Sequence, residues 1–280
     1  MPNERKVTPI ATALSYLVMG IFALLAIYPI FWLVIQSFKT TQEYMTASKL
    51  AFPAEWYPGN YPFVWQVGKF GMLLLNSVFY TVVSVASVVL LSLMAGFAFA
   101  KMDFKVTPFL HGLFIVGILI TLQSILVPLF LMVRAVGLFN TRLGVLIPYV
   151  GLGLPMGVYL CTEFVKGIPG ELVESARIDG SGYLRTFFSI ILPMCAPVMA
   201  SLGIISFTGT WNEFIIINVL TASDTLRTIP VGVARFAGSL ATDFGRQFTG
   251  LVIGLVPILI FYAIFRNQIT KGVAAGAVKG

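Results

Sequence analysis

From Phe70 to Ala100 the chain reads FGMLLLNSVFYTVVSVASVVLLSLMAGFAFA, 31 consecutive positions without an Asp, Glu, Lys or Arg. About 20 mostly apolar residues let a helix cross a hydrocarbon core roughly 30 Å thick, so this run is long enough to span a bilayer. In hydrocarbon every backbone N–H and C=O must find its partner within the segment, which selects a helix over an open strand. A membrane barrel would show segments of about ten residues with alternating polarity, and this run does not alternate. Five more charge-free runs flank it, at 7–38, 106–133, 143–162, 186–212 and 247–265. The 18 Lys and Arg and the 11 Asp and Glu of the 280-residue chain all lie outside these six runs. Charged residues make up 10% of the chain, against roughly 25% in a soluble domain. The pattern excludes a disordered chain and predicts an all-α integral membrane protein.

Six transmembrane helices are expected, over Leu14–Ser37, Leu73–Lys101, Phe109–Val133, Leu143–Leu160, Ile190–Asn212 and Phe248–Phe265. The first is too long for a signal-peptide core and reads as a retained anchor. Pro29, Pro128, Pro148, Pro155, Pro193 and Pro257 interrupt the spans and mark expected kinks. Residues 38–72 carry Tyr44, Trp56, Tyr57, Tyr61 and Trp65, which suit short surface-hugging helices and turns at the membrane–water boundary. Residues 163–189 are the most polar stretch, and 213–247 form the other long connection. With the amino terminus inside, the inner side holds ten Lys and Arg, Arg5 and Lys6 among them, and the outer side eight. The sign agrees with the positive-inside rule, and the margin is narrow.

The net charge of +7 is scattered among loops in no basic run, so nucleic acid is not an expected partner. No GxxxxGK[ST] loop is present, so this chain is not expected to hydrolyse nucleotide by itself. His111 lacks an HExxH context and Cys161 and Cys195 lack ligand spacing, so no metal site is expected. A proton- or sodium-coupled carrier keeps acidic residues deep in its spans, and the central parts of these spans have none. Energy must come from a partner, or the protein is a passive pore. A membrane-embedded enzyme subunit has no catalytic cluster in its favour.

Residues 168–193 read IPGELVESARIDGSGYLRTFFSIILP. Pro169 suits a helix start, and Glu171 and Glu174 complement its dipole. Leu172 and Ala176 would form an apolar edge, while Glu174 and Arg177 are spaced to pair. Gly180 offers the positive φ that stops the helix, and Ser181 can cap a second one bearing Tyr183, Leu184, Phe187 and Phe188. The product is a helix–turn–helix elbow that could dock into a groove on another protein. The plainer reading is an amphipathic elbow lying at the interface.

The spacing resembles the EAA loop of binding-protein-dependent ABC importer permeases, with Glu174, Ser175, Ala176, Gly180, Ile190, Leu192 and Pro193 in its places. Ser175 stands where the family pattern has Ala. Further stretches resemble the carbohydrate-uptake branch, of the maltose-transporter G-type permease kind: Ser37-Phe38-Lys39-Thr40, Leu75-Asn76-Ser77, Gly137-Leu138-Phe139-Asn140-Thr141 and Trp211-Asn212-Glu213-Phe214. The terminal Gly276-Ala277-Val278-Lys279-Gly280 belongs with them. The resemblance implies a type I ABC importer transmembrane domain over 70–265, after a span and outer segment at 1–69 and before a cytoplasmic tail at 266–280. It implies a cytoplasmic coupling helix with Glu171, Glu174, Ser175, Ala176, Asp179 and Gly180 as ATPase-coupling residues. Gly276, Ala277, Val278, Lys279 and Gly280 would reach the ATPase, and both termini would be cytoplasmic in a bacterial or archaeal plasma membrane. The implied partners are a second, different permease, two copies of an ATP-binding subunit and an extracellular or periplasmic sugar-binding protein. No cofactor is expected in this chain, ATP and Mg being bound by the ATPase. Trp211, Asn212 and Glu213 are candidates for the substrate path or gate. Amino-acid and peptide permeases share the coupling loop but not the Ala-Val-Lys-Gly tail.

Overall fold

The computed structural model describes residues 9–102, 104–238 and 242–277. Its elements in chain order are α1 (Pro9–Gln36), α2 (Thr41–Thr46), α3 (Asn60–Gln66), α4 (Phe70–Lys101), α5 (Thr107–Ile118), α6 (Leu122–Ala135) and α7 (Arg142–Lys166). There follow α8 (Gly170–Ile178), α9 (Tyr183–Thr186), a π-helical turn at Phe187–Ile191, α10 (Leu192–Met194) and α11 (Ala196–Trp211). Last come α12 (Ile215–Leu220), α13 (Ile229–Phe236) and α14 (Phe244–Ala277). The chain is mostly helical, and no strand is formed among the described residues. Among the described residues, four helices are long and apolar enough to cross a membrane: Thr12–Gln36, Phe70–Lys101, Arg142–Lys166 and Phe244–Arg266. Two bent pairs bring the total to six if each is one span.

Kinks are expected at Pro128 and Pro193, and a sharp bend falls beside Pro193 but not at Pro128. The third predicted span breaks between α5 and α6 with a bend of 108°. The break lies at 119–121, upstream of Pro128, which sits inside α6. Thr121 is extended there, and its hydroxyl meets that of Ser124 at 2.9 Å, so α6 starts afresh. The fifth predicted span bends by 77° at Cys195, between Pro193 and Pro197. Each of those prolines removes a backbone donor. The last helix runs on to Ala277, well beyond the predicted end at Phe265.

Two compact units share the chain, 1–70 with 233–256, and 71–232 with 257–280. In the first, the Ser37–Thr40 stretch is a polar junction at the end of α1. The Asn60 amide donates to the carbonyls of Ser37 and Lys39, each at 2.9 Å, and the Thr249 hydroxyl donates to the same Ser37 carbonyl at 3.1 Å. Thr41 donates to Asp243 at 2.7 Å. Gly245 lies so close to the Lys39 carbonyl that a β-carbon would collide with it. The rest of α1, from Leu14 to Phe31, leaves its apolar side chains exposed, as suits a helix surrounded by lipid.

In the second unit α4 and α7 run in the same direction along a seam of small residues. Val88 faces Gly153, Ser92 faces Gly157, and Gly96 faces the backbone of Cys161 and Thr162. Small side chains let helix backbones approach closely, which supplies packing where lipid gives no hydrophobic drive. At one end of the seam the Lys101 ammonium donates to the Ile168 carbonyl. At the other, the Arg142 guanidinium lies 4.7 Å from the Phe79 ring centre. Two buried clusters cap these ends. One gathers Phe97, Val165, Ile168, Val173, Phe187 and Ile191. The other gathers Tyr80, Leu146, Tyr149, Ile216, Leu220 and Val231. The α11 helix runs against α7, since Cys195 joins the first cluster and Ile216, just beyond its end, joins the second.

The polar residues of the remaining motifs brace the segment after α11. The Asn76 amide donates to the carbonyls of Thr225 (2.8 Å) and Arg227 (3.0 Å), and Ser77 accepts from the Ile229 N–H at 3.0 Å. Asn140, at φ +58°, accepts from the N–H groups of Ala222 and Ser223. A positive φ suits Asn better than most residues, because its short amide bonds locally.

Candidate functional site

The polar elbow is built as its sequence dictates up to the turn. Helix α8 follows Pro169, with Glu171 in its first turn. Gly180 takes φ +78°, and its N–H donates to the Arg177 carbonyl while the Ser181 N–H donates to that of Ala176. Those two bonds are the paired closure of a helix ending in a left-handed glycine. A β-carbon at Gly180 would meet nothing within 4 Å, so the backbone angle alone makes the glycine necessary.

Three details differ from expectation. The buried edge of α8 is Val173 with Ala176, while Leu172 stays exposed. The Glu174–Arg177 pair is not formed; the Arg177 guanidinium lies 5.0 Å from the Tyr183 ring centre instead. Gly182, not Ser181, precedes the second helix, and of its apolar residues Phe187 turns inward and Phe188 outward. Glu171, Glu174, Ser175, Asp179 and Gly180 lie together on the exposed side, and Ala176 packs within. Ile178 is 87% exposed, an apolar knob on a charged surface. Lys101, which sequence reasoning left out, ties the start of the elbow to α4.

The second region is a cavity of about 370 Å³ among α6, α7 and α11. Its walls include Leu152, Met156 and Ile205, with Tyr149, Ser206, Thr210 and Glu213 as the polar groups. The Trp211–Asn212–Glu213 triad divides here. Trp211 is buried and stacks on Phe207, 5.7 Å between centres and 11° between planes, and Phe207 lies against Phe261. Asn212 is exposed and its amide donates to the Thr208 carbonyl at 2.9 Å. Of the three, Glu213 alone lines the cavity. Its carboxylate accepts from the Tyr149 hydroxyl at 2.7 Å and from the N–H groups of Ile216 (2.7 Å) and Ile217 (3.2 Å). It thereby caps α12, the orphan donors of a helix start being answered by an acid. Tyr149 was missed in the sequence because its partner lies 64 positions away. Glu213→Ala is expected to cost about 1–3 kcal/mol, since two amides and a phenol lose their acceptor. Thermal unfolding of the purified complex in detergent will show it, with Glu213→Gln losing less.

Gly276 and Ala277 form the last positions of α14, while Val278, Lys279 and Gly280 lie outside the described residues. No group of three or more His, Cys, Asp or Glu suited to a metal occurs among the described residues.

This chain belongs to the family of binding-protein-dependent transport system inner membrane components, which matches residues 5–272. It is 31% identical over 269 residues to the diacetylchitobiose uptake system permease protein NgcG of Streptomyces coelicolor, covering 95% of this chain and 89% of the relative. It is 30% identical over 280 residues to the arabinooligosaccharides transport system permease protein AraQ of Halalkalibacterium halodurans, covering 99% and 100%. Among solved structures, a chain of a bacterial ABC transporter that imports the acidic polysaccharide alginate has the same fold. The TM-score is 0.80 at 21% identity, over 95% of this chain and 99% of that one.

Proposed function

We propose that this chain is one of two different permease subunits of an ATP-driven importer for a carbohydrate, which a separate binding protein delivers. The observation that carries this reading is full-length similarity to relatives named as sugar permeases. Six crossings follow if each bent pair is one span. Because α4 and α7 run parallel along their seam, the chain must return between them, and α5 with α6 is the segment that returns it. The 163–189 elbow and both termini then face the cytoplasm, in a bacterial or archaeal plasma membrane.

In this reading α8 is the coupling helix. Glu171, Glu174, Ser175, Asp179 and Gly180 meet an ATPase subunit present in two copies, with Ile178 inserted among its apolar groups. Ala176 supports the contact from behind. The ATPase holds ATP and Mg, and this chain needs no cofactor. Gly276 to Gly280 extend α14 toward the ATPase pair, and Glu213 stands on the substrate path. The geometry supports Trp211 and Asn212 less as path residues than as packing and helix-end groups. Reconstitution with a companion permease, an ATPase and a binding protein is expected to give sugar-stimulated ATP hydrolysis. Deleting residues 276–280 is expected to weaken assembly or control of hydrolysis while leaving sugar preference unchanged. Full assembly and an unaltered hydrolysis rate after that deletion would remove the tail from the ATPase contact.

A further inference from the structure

We infer that Lys101 is a positioning residue for coupling, which pins the start of the elbow to the end of α4. A push on α8 then turns the elbow about that point and reaches α11 through a hinge at 187–195. The inference rests on the coupling-helix reading above and adds a fixed point and a hinge to it.

The fixed point is a carbonyl that the backbone leaves unanswered. Ile168 follows the end of α7, and its own N–H closes that end by donating to the Val165 carbonyl at 3.1 Å. Its carbonyl precedes Pro169, which has no N–H, and among the described residues no backbone donor reaches it. Ile168 is buried, and a buried carbonyl without a donor is costly. The Lys101 ammonium, 67 positions away, supplies the donor. A hydrogen bond from an ionised group is about twice as strong as a neutral one. The ammonium also lies where α4 and α7 both end, and the carbonyl end of a helix favours a cation. Ala100 and Met102 pack on the cluster that holds Ile168 and Val173, so the start of α8 is seated beside α4 as well as tied to it.

The other end of the elbow is built to give. Phe187–Ile191 is a π-helical turn, a form that occurs mostly as single turns and often at functional sites. The three residues of α10 follow, then the 77° bend at Cys195, with Pro193 before it and Pro197 after it. The Cys195 N–H is divided between the Ile191 and Leu192 carbonyls, at 3.0 and 3.2 Å. Prolines and π-turns are where helices kink, and a hinge needs only a few residues at the ends of elements. With its start pinned and its end hinged, the elbow is a lever whose movable end is α11. Cys195 at the hinge and Cys161 on α7 are both fully buried in one cluster. Turning the elbow opens the hinge and draws Cys195 out of that cluster.

The native thiols supply the test. The complex of this chain with its companion permease and ATPase would carry Cys161→Ser, so that Cys195 is the one thiol left in this chain. Its reaction with N-ethylmaleimide would be followed by mass spectrometry of this chain, without nucleotide and with ATP plus vanadate. With Lys101 in place, Cys195 is expected to react at least about fivefold faster in ATP plus vanadate. Lys101→Met keeps the apolar stem and removes the donor. It should abolish the increase while the ATPase still co-purifies and the KM for ATP stays within about twofold. Lys101→Arg keeps a charged donor and should restore most of the increase. An undiminished increase with Lys101→Met would overturn the positioning role. So would loss of the ATPase from that variant's complex, which would leave Lys101 as a structural support only. A Cys195 rate that ATP plus vanadate leaves unchanged with Lys101 in place would overturn the hinge. If the ATPase does not co-purify with the chain that retains Lys101, the coupling reading itself fails, and the positioning role with it.

Discussion

Gly180→Trp is expected to reduce coupled uptake at least about tenfold while the protein still inserts at the wild-type level, because an L-residue at this angle costs about 1–2 kcal/mol. Gly180 holds φ +78° at the point where α8 closes, and two backbone bonds depend on that angle. The site has room for a side chain, so the fault lies in the backbone rather than in a clash. If the angle is lost, Glu171, Glu174 and Ile178 are presented differently, and the proposed ATPase contact would be lost with them. Gly180→Asn provides the grading, since Asn enters the left-handed region more readily, and it should keep much of the activity. Glu174→Lys reverses an exposed charge beside the turn without touching the fold. Sugar-stimulated ATP hydrolysis should fall in parallel with uptake in both Gly180→Trp and Glu174→Lys. Normal coupled turnover in these two variants, at wild-type abundance, would remove the elbow from the coupling path.

The second large effect is expected in the seam between α4 and α7. A β-carbon at Gly96 would lie 2.8 Å from the Thr162 nitrogen and 2.9 Å from the Cys161 carbonyl carbon. Those are backbone atoms, so one helix must move away from the other. Overpacking of a tight contact commonly costs about 1–3 kcal/mol, and a leucine here belongs at or above the top of that range. Gly96→Leu should therefore yield little monodisperse protein in detergent, with a much lowered unfolding temperature. Gly157 meets a side chain instead, the Ser92 hydroxymethyl. Gly157→Ala should be milder, and adding Ser92→Gly should restore part of the loss. Independent effects of Gly157→Ala and Ser92→Gly would mean that the two positions do not share a contact.

Several elements were legible because a local rule decides them. Six charge-free runs specify where helices can cross, since backbone groups in hydrocarbon have no other solution. Gly180 announced its turn, because few other residues take its angle. The break at 119–121 was not legible. Pro128 was the visible breaker, but helices tolerate proline inside, while the real bend rests on Thr121 and carries no proline. Trp211, Asn212 and Glu213 looked like one site because they are adjacent. At the end of a helix with 3.6 residues per turn, adjacent side chains leave in different directions. One stacks in an aromatic row, one turns back on its helix, and one caps the next.

What the sequence by itself determined is the class of element: helices, and a polar elbow with a glycine turn. Only the tertiary structure decided which side of each helix meets which neighbour. In a soluble protein apolar periodicity points to the core, because the other face must meet water. Lipid tails are as apolar as leucine, so a membrane helix can be apolar all round and its composition does not reveal the buried side. The contacts of Gly96 with Thr162, Ser92 with Gly157 and Tyr149 with Glu213 join residues more than sixty positions apart. Close approach of small residues and one shared hydrogen bond make these contacts, and neither leaves a periodic trace along the chain.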